Sequence, residues 1–217
     1  LGAVRGAAEA DLPIIGVNHG SLGFLTTFSA DEARAQFAAL LEGDYRIARR
    51  ALLDCKTGPR RSDVALNDVL VKDAKPSRIV RLEVFANDKL VTEYTCDGLI
   101  FSTPTGSTAY NLAAGGPIIH PQAEVIAMTP ICPHTLTLRP LVVPDTSVIE
   151  IGIEAREDAP ESRADRVYLT VDGQEGGEIG FGDRVRVTRA AQPAYLVRTG
   201  ERSSIFEGLR NKLHWGE

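Results

Sequence analysis

The 217-residue chain is long enough for one large or two small domains, and its 43% hydrophobic and 24% charged residues are typical of a globular protein. Twenty-nine acidic residues against 24 basic ones give a net charge of −5, which excludes a general electrostatic attraction to nucleic acid. Three widely spaced cysteines exclude a disulfide framework, and no apolar run reaches the roughly 18 residues of a membrane span, so we expect a cytoplasmic protein without a membrane partner.

The first part of the chain alternates between helical and strand patterns. An Ala-rich segment over 1–10 predicts a helix, residues 14–17 predict a short buried strand, and the glycines that follow predict a turn. The spacing of Gly16, Gly20 and Gly23 differs from the dinucleotide-binding fingerprint and by itself favours a structural turn. Helix, strand and turn in this order predict an α/β domain.

A capping box, Ser29-Ala30-Asp31-Glu32, predicts the start of the next helix. Its apolar positions fall on one helical face, which we expect to pack on the sheet of this first domain. These positions are Ala33, Phe37, Leu40 and Leu41.

Strand patterns dominate from Tyr45 to about Gln192. The segments alternate or are rich in β-branched residues, and Asn87-Asp88 and Asp172-Gly173 are turn signals. We predict strands over 52–56, 64–71, 78–85, 89–96, 99–101, 136–138, 148–153, 167–171 and 184–188. This pattern predicts a β-rich domain, with two packed sheets as the expected arrangement.

The C-terminal tail carries a second capping box, Ser204-Ile205-Phe206-Glu207. It predicts an amphipathic helix with Phe206, Leu209 and Leu213 on one face. Because we expect no place for a lone helix in a β-rich domain, we expect the tail to return and pack on the α/β domain. The expected division is residues 1–46, 47–192 and 193–217.

The segment most informative about function follows the strand over 99–101. That strand ends in the polar turn Ser102-Thr103-Pro104-Thr105-Gly106-Ser107-Thr108, and a helical pattern over 109–114 follows, up to the stop signal Gly115-Gly116-Pro117. Free backbone N–H groups and hydroxyls at such a turn suit a ribose, an adenine edge or a phosphate. A capped helix after a Ser/Thr loop uses the same residue types, so the spacing alone leaves both interpretations open.

Three motifs resemble those of one enzyme family, the NAD kinases. The run from Thr103 to Tyr110, preceded by Asp97-Gly98, resembles the family's most recognisable segment; Gly16-Val17-Asn18-His19-Gly20-Ser21-Leu22-Gly23-Phe24-Leu25 resembles its glycine-rich turn, and Leu66-Asn67-Asp68-Val69 resembles its Asn-acid pair. The matches occur in the family's order and cover essentially the whole chain. The resemblance implies an α/β plus all-β protein: a small α/β N-terminal domain, incomplete here, then a β-sandwich-like domain, with the C-terminal helix returning to the first domain.

The resemblance also implies a reaction. NAD kinases phosphorylate the 2′-hydroxyl of the adenosine ribose of NAD to give NADP, with ATP or polyphosphate as donor and a divalent ion such as Mg²⁺. The implied partners are NAD and ATP, and the implied assembly is a homodimer or homotetramer. The family's catalytic base is the Asp of a Gly-Gly-Asp-Gly turn, which this sequence lacks. We therefore expect the base upstream of Leu1 and assign no residue of this chain to catalysis or to metal binding.

Asn67 and Asp68 interrupt a strand pattern although both are poor strand formers. The residues alone slightly favour a β-bulge, whereas the resemblance assigns Asn67 to adenine and ribose and Asp68 to the ribose hydroxyls. Many family members carry Glu at the position of Asp68. The complete set of NAD-binding residues implied by the resemblance is Phe24, Leu25, Asn67, Asp68, Arg78, Asp97, Thr105, Thr108, Ala109, Tyr110, Asn111, Leu112, Ala113, Cys132 and Gln174.

Two alternative functions remain open from the sequence. A protein that starts near Leu1 would be a non-catalytic NAD- or NADP-binding module, and a lipid or sphingoid kinase would share the β-rich second domain. The complete run from Thr103 to Tyr110 favours a nucleotide over a lipid. No P-loop motif occurs, and the four histidines lack the spacing of metal ligands.

Overall fold

The computed structural model describes residues 1–18, 25, 28–58, 61–73, 79–153, 167–180, 182–199 and 205–213. Their helices are α1 (Val4–Glu9), α2 (Ala30–Ala35), α3 (Phe37–Leu41), a 3₁₀ helix (Gly106–Thr108), α4 (Tyr110–Ala113) and α5 (Ile205–Leu213). Their strands are β1 (Pro13–Ile14), β2 (Val17–Asn18), β3 (Phe28–Ser29), β4 (Arg46–Arg50), β5 (Leu53–Thr57), β6 (Arg61–Ala65), β7 (Asp68–Asp73), β8 (Val80–Ala86), β9 (Lys89–Cys96), β10 (Gly98–Ser102), β11 (Val125–Ile131), β12 (Leu141–Pro144), β13 (Ile149–Ile153), β14 (Val167–Val171), β15 (Gln174–Ile179), β16 (Arg184–Arg189) and β17 (Ala194–Arg198).

The chain divides into two compact units. The α/β unit comprises Gly2–Arg50, His120–Gln122 and Gln192–Glu217, and the sandwich unit comprises Leu1, Ala51–Ile119 and Ala123–Ala191. None of the described helices has the length and hydrophobicity needed to cross a membrane.

The α/β unit is organised around a three-stranded sheet in the order β1-β17-β4. β1 runs parallel to β17 and β4 runs antiparallel to it, so a C-terminal strand lies between two N-terminal ones. The single buried strand predicted over 14–17 is wrong. Its two ends pair with different partners, β1 with β17 and β2 with β3, and Val17 is exposed.

The first capping box is confirmed. The Glu32 N–H donates to Ser29 Oγ at 3.2 Å, and the Ser29 N–H donates to Glu32 Oε2 at 2.8 Å. The predicted helix breaks at Gln36 into α2 and α3, which changes the helical phase. Leu40 therefore packs with Phe28 and Val197, whereas the expected burial of Phe37 and Leu41 is wrong, since they are 60% and 74% exposed.

The sandwich unit consists of two six-stranded sheets, which confirms the predicted pair of packed sheets. Sheet I has the order β12-β11-β10-β7-β14-β15, and sheet II has the order β6-β5-β16-β13-β8-β9. Alternate residues of each strand enter one shared core, for example Val69 and Val71 of β7 and Leu99 and Phe101 of β10. The other residues of these strands lie on the outer face of sheet I.

The turn signals are also confirmed. Asn87 and Asp88 have φ of 51° and 62°, and Asp172 and Gly173 have φ of 52° and 72°, as two-residue hairpin turns require. The strand predicted over 136–138 is wrong, because this run lies in a loop between Pro133 and Pro140 and Leu136 is 87% exposed.

The C-terminal helix α5 buries Leu209 but leaves Phe206 54% exposed beside the ring of His120, with 6.3 Å between the ring centroids. The shared buried face predicted for this helix is therefore wrong for Phe206. The predicted N-cap, Ser204, and Trp215 lie outside the described residues.

Candidate functional site

Most of the predicted NAD-binding residues lie near the start of β7 and the end of β10, which are the two central strands of sheet I. Asp68 begins β7 and pairs in register with Ser102, the last residue of β10. Because side chains alternate along a strand and Val69 and Phe101 enter the core, Asp68 and Ser102 project on the opposite, outer face. The turn that follows Ser102 therefore begins beside Asp68.

The Leu66–Asn67 step is where the chain leaves sheet II and enters sheet I. For this reason the single strand predicted over 64–71 is wrong: β6 ends at Ala65 and β7 starts at Asp68. Three consecutive N–H groups at the crossing donate to one carboxylate, that of Asp172. Leu66 donates to Oδ2 at 2.9 Å, and Asn67 and Asp68 donate to Oδ1 at 2.6 and 3.1 Å.

The carbonyl groups of the same crossing are held by the turn after β10. Thr103 Oγ1 donates to the Leu66 carbonyl at 2.6 Å, and the Thr103 N–H donates to the Asn67 carbonyl at 2.9 Å. The Thr103 hydroxyl in turn accepts the Gly106 N–H at 3.0 Å. The backbone of the Asn-acid pair is thus fixed from both sides, which is the preorganisation a ligand site needs.

Asp68 is buried, with only 6% of the residue exposed. Burial raises its pKa to about 6, and the negative charge of Asp172 adds to the rise. Asp68 is therefore an ionised hydrogen-bond acceptor above about pH 6, able to accept from two ligand hydroxyls, and carries a proton at lower pH.

The turn also contains a buried hydroxyl whose hydrogen-bonding capacity is unused. Thr105 Oγ1 makes no hydrogen bond to any other described residue. A buried polar group without a partner is costly, so a polar ligand atom at this position would be favoured. Thr108, whose hydroxyl lies 3.5 Å from the Thr105 carbonyl, and Ala109, whose N–H donates to the Gly106 carbonyl at 2.8 Å, continue the same turn.

The helix predicted over 109–114 is shorter than expected, because α4 has only four residues, and the 3₁₀ helix lies before the predicted range. Tyr110 is 46% exposed at its start, Leu112 is half-buried and Ala113 is exposed. Asn111 is fully buried, and both of its amide hydrogens are used within the protein, on the carbonyls of Ser107 and Pro117 at 3.1 Å. Its Oδ1 accepts from Thr129 Oγ1 at 2.7 Å, so this side chain stabilises the turn from inside.

The remaining predicted residues lie in several places. Gln174 is exposed and opens β15 directly after the Asp172-Gly173 turn, close to the crossing. Asp97 and the exposed Cys132 flank the start of β10. This end of the strand is about 13 Å from Ser102, at roughly 3.3 Å per strand residue. Leu25 is half-buried in the α/β unit, and Phe24 and Arg78 lie outside the described residues.

Models of two protein-family domains match nearly the whole chain. The model of the ATP-NAD kinase N-terminal domain matches residues 1–45, and that of the ATP-NAD kinase C-terminal domain matches residues 66–199. The chain belongs to the NAD kinase family.

Individual members of the NAD kinase family show the same similarity. The NAD kinases of Geobacter sulfurreducens and Geobacter metallireducens are 42% and 44% identical over 221 and 222 aligned residues, covering 100% of this chain and 75% of each relative. The NAD kinase of Moorella thermoacetica is 44% identical, with 68% of its length covered.

Two solved structures share the fold. The crystal structure of yeast NADH kinase complexed with NADH has a TM-score of 0.84 at 30% identity, and the match covers 95% of this chain and 60% of that one. An NAD kinase from Archaeoglobus fulgidus in complex with ATP has a TM-score of 0.75 at 26% identity, covering 93% and 72%. The chain thus spans three quarters of its Geobacter relatives and 60% of the yeast enzyme.

Two residues that shape this candidate site, Asp172 and Thr103, are not among the site residues predicted from the sequence. The sequence predicts Asp172 only as a turn residue. Its contact with the Leu66 N–H is not predictable from local patterns, because the two residues are 106 positions apart. Thr103 was visible as part of the NAD kinase motif, but its hydrogen bonds to the crossing were not.

Proposed function

We propose that this chain binds NAD at the outer face of sheet I and phosphorylates the 2′-hydroxyl of its adenosine ribose with ATP, giving NADP. The observation that carries the proposal is the fixed Asn-acid pair beside the unpartnered Thr105 hydroxyl, in a chain that both NAD kinase domain models match. Two related structures add support, since one enzyme is complexed with NADH and the other with ATP.

In this proposal the chain's own residues place the acceptor. The Asp68 carboxylate accepts hydrogen bonds from the ribose hydroxyls, Asn67 contacts adenine and ribose, and Thr105 and Thr108 supply further polar contacts. Tyr110, Leu112 and Ala113 line the nucleotide along α4. Positioning of the reacting hydroxyl is a large part of catalysis in phosphoryl transfer, because the protein does little covalent chemistry there.

The charge of the donor phosphates requires a divalent ion, for which we propose Mg²⁺. The described residues contain no group of three or more His, Cys, Asp or Glu side chains able to hold a metal ion. Mg²⁺ is commonly bound through substrate phosphates with only one or two carboxylates, so it would enter together with ATP and neutralise the transferring phosphoryl group. No residue of this chain is assigned as the general base.

We also propose a homodimer or homotetramer and a cytoplasmic location. The assembly is supported by β12, which lies at the end of the strand order of sheet I and exposes Leu141 and Val142. The location is supported by Cys55, Cys96 and Cys132, which form no disulfide bond with one another and suit a reducing compartment. A monomer mass in light scattering would contradict the assembly.

The test measures NADP formation from NAD, ATP and Mg²⁺ by this chain and by the full-length gene product. Activity of the full product that falls at least a hundredfold in Asp68→Ala, with Asp183→Asn as the matched acidic control, would support the proposal. NAD binding without NADP formation by either protein would favour a binding module instead. Phosphorylation of a sphingoid base, with no NADP formed, would favour a lipid kinase.

A further inference from the structure

Asp172 occupies a hairpin turn whose geometry does not require a carboxylate. It connects β14 and β15 together with Gly173, and both residues have positive φ. Asn-Gly and Asp-Gly serve equally in such two-residue turns, because Asn tolerates the same left-handed backbone. The reason for an acid at this position must therefore lie outside the turn.

The crossing supplies that reason. The Asp172 carboxylate accepts the N–H groups of Leu66, Asn67 and Asp68, and its own N–H donates to the Asp68 carbonyl at 2.9 Å. A carboxylate has only acceptors and can satisfy three N–H donors, whereas an Asn amide would direct an NH₂ group at one of them. The carboxylate thus fixes the backbone that aims the Asn67 and Asp68 side chains.

The same carboxylate also acts on Asp68 through its charge, which adds to the rise in the Asp68 pKa that burial causes. The neighbouring strand β10 contains no ionisable side chain. On β7 and β14, the ionisable residues Lys72 and Tyr168 pair with each other, four residues along the strands from Asp68 and Asp172. Between β10 and His120, the segment of residues 103–119 has one ionisable side chain, that of Tyr110. Asp172 thus acts on Asp68 through both geometry and charge.

We infer that Asp172 is a positioning residue of the nucleotide site, which holds the Asn67–Asp68 backbone in its binding geometry and places a negative charge beside the Asp68 carboxyl group. The inference rests on the proposed function, because it concerns the binding of NAD. It adds a residue, from a hairpin distant in sequence, to the motif residues that contact the nucleotide.

The experiment compares the wild-type chain with Asp172→Asn, which keeps the turn and the size but removes the charge. Asp183→Asn is the matched control, because Asp183 also accepts a turn N–H, that of Gly180 at 3.1 Å, in the connection between β15 and β16. Two quantities are measured: hydrogen exchange of the Leu66, Asn67 and Asp68 amides without ligand, and the dissociation constant of NAD by calorimetry between pH 5 and pH 8.

For Asp172→Asn we expect exchange of the three amides to accelerate at least tenfold and NAD affinity at pH 8 to fall at least tenfold. Wild-type affinity should decline as pH falls through about 6, where Asp68 takes up a proton. The midpoint of this decline should move to lower pH in Asp172→Asn, because the neighbouring negative charge is gone. Asp183→Asn should change none of these quantities.

A purely structural role would lower thermal stability but leave the midpoint in place, and an unchanged midpoint would overturn the inference. If Asp172→Asn does not fold, Asp172→Glu replaces it: the charge remains, so the midpoint should stay near 6, while the longer side chain should weaken NAD binding. Unchanged affinity in Asp172→Glu would overturn the inference. Wild-type protein that does not bind NAD would contradict the proposed function itself, and any exchange effect would then show a structural contact only.

Discussion

Gly106 packs so closely on Asn67 that a Cβ atom added at position 106 would overlap the Asn67 carbonyl group. The glycine is therefore required by its neighbour, since its φ is not in the left-handed region. This contact joins the turn after β10 to the crossing between the sheets, and the Thr103 hydrogen bonds join the same two segments. Two of the three motifs that resemble NAD kinases, the Asn-acid pair and the run from Thr103 to Tyr110, thus form one packed structure.

Gly106→Ala should therefore disturb both stability and NAD binding. The added methyl group must displace backbone, for which overpacking costs of about 1–3 kcal/mol are typical, and the shift moves Asn67. We expect a lower melting temperature in calorimetry and at least a tenfold loss of NAD affinity. Gly6→Ala is the control, because a Cβ there meets nothing within 4 Å and an exposed helical Ala is favourable. Equal affinities of wild type and Gly106→Ala would disprove the role of the contact.

Asp68→Asn should stabilise the protein at neutral pH while weakening NAD binding. The pKa of Asp68 is about 6 in the folded protein against 3.8 as the ordinary value. Well below pH 3.8 the carboxyl group is neutral in both the folded and the unfolded state. As pH rises towards 6, the unfolded state loses the proton first, so the folded state loses stability on the order of 1–3 kcal/mol.

Asn does not ionise, so Asp68→Asn avoids this loss of stability. Its gain in the free energy of unfolding over wild type should be nearly absent near pH 3.5, grow between pH 4 and pH 6, and stay constant above pH 6. Denaturant unfolding at several pH values measures it, and NAD binding at pH 8 measures the accompanying loss of affinity. If the stabilities of wild type and Asp68→Asn depended on pH in the same way, burial would not destabilise the ionised Asp68 carboxylate.

The Asn111–Thr129 hydrogen bond should contribute measurably to stability. Asn111→Ala leaves the Thr129 hydroxyl and the carbonyls of Ser107 and Pro117 without this partner, for which costs of about 1–3 kcal/mol per group are typical. Thr129→Val should cost less, because it removes one hydrogen bond. A double-mutant cycle from unfolding curves should give a coupling of about 0.5–3 kcal/mol, and strictly additive effects would contradict it.

Elements set by neighbouring residues were predictable from the sequence. The Ser29 capping box, the buried strand β10 and the Asn87-Asp88 turn depend on residues within a few positions, and all three are confirmed. β11 was missed because it contains Pro130, which argues against a central strand. β12 pairs only with Val125 to Met128, so Pro130 lies where one side of β11 has no partner strand.

The sequence predicts the candidate site only at positions that match the family's motifs. What the motifs could not show is which side chains are free to contact a ligand. Asn111 directly follows the recognisable run, yet both of its amide hydrogens bind carbonyl groups of the protein, whereas the Thr105 hydroxyl has no hydrogen-bond partner among the described residues. Such distinctions depend on tertiary contacts over long sequence separations, as with Asp172 and Leu66.

Cys132 should be the fast-reacting thiol of the native chain. It is exposed, whereas Cys55 and Cys96 are buried, and burial raises the pKa of the Cys96 thiol to about 12. With Ellman's reagent at pH 8 we expect one equivalent to react within minutes and three after denaturation, with no fast phase in Cys132→Ser. If Cys132 contacts the nucleotide as the family motif predicts, saturating NAD should slow its labelling at least fivefold. Labelling that NAD does not affect would remove Cys132 from the site and leave the nucleotide at the Asp68 end of β10.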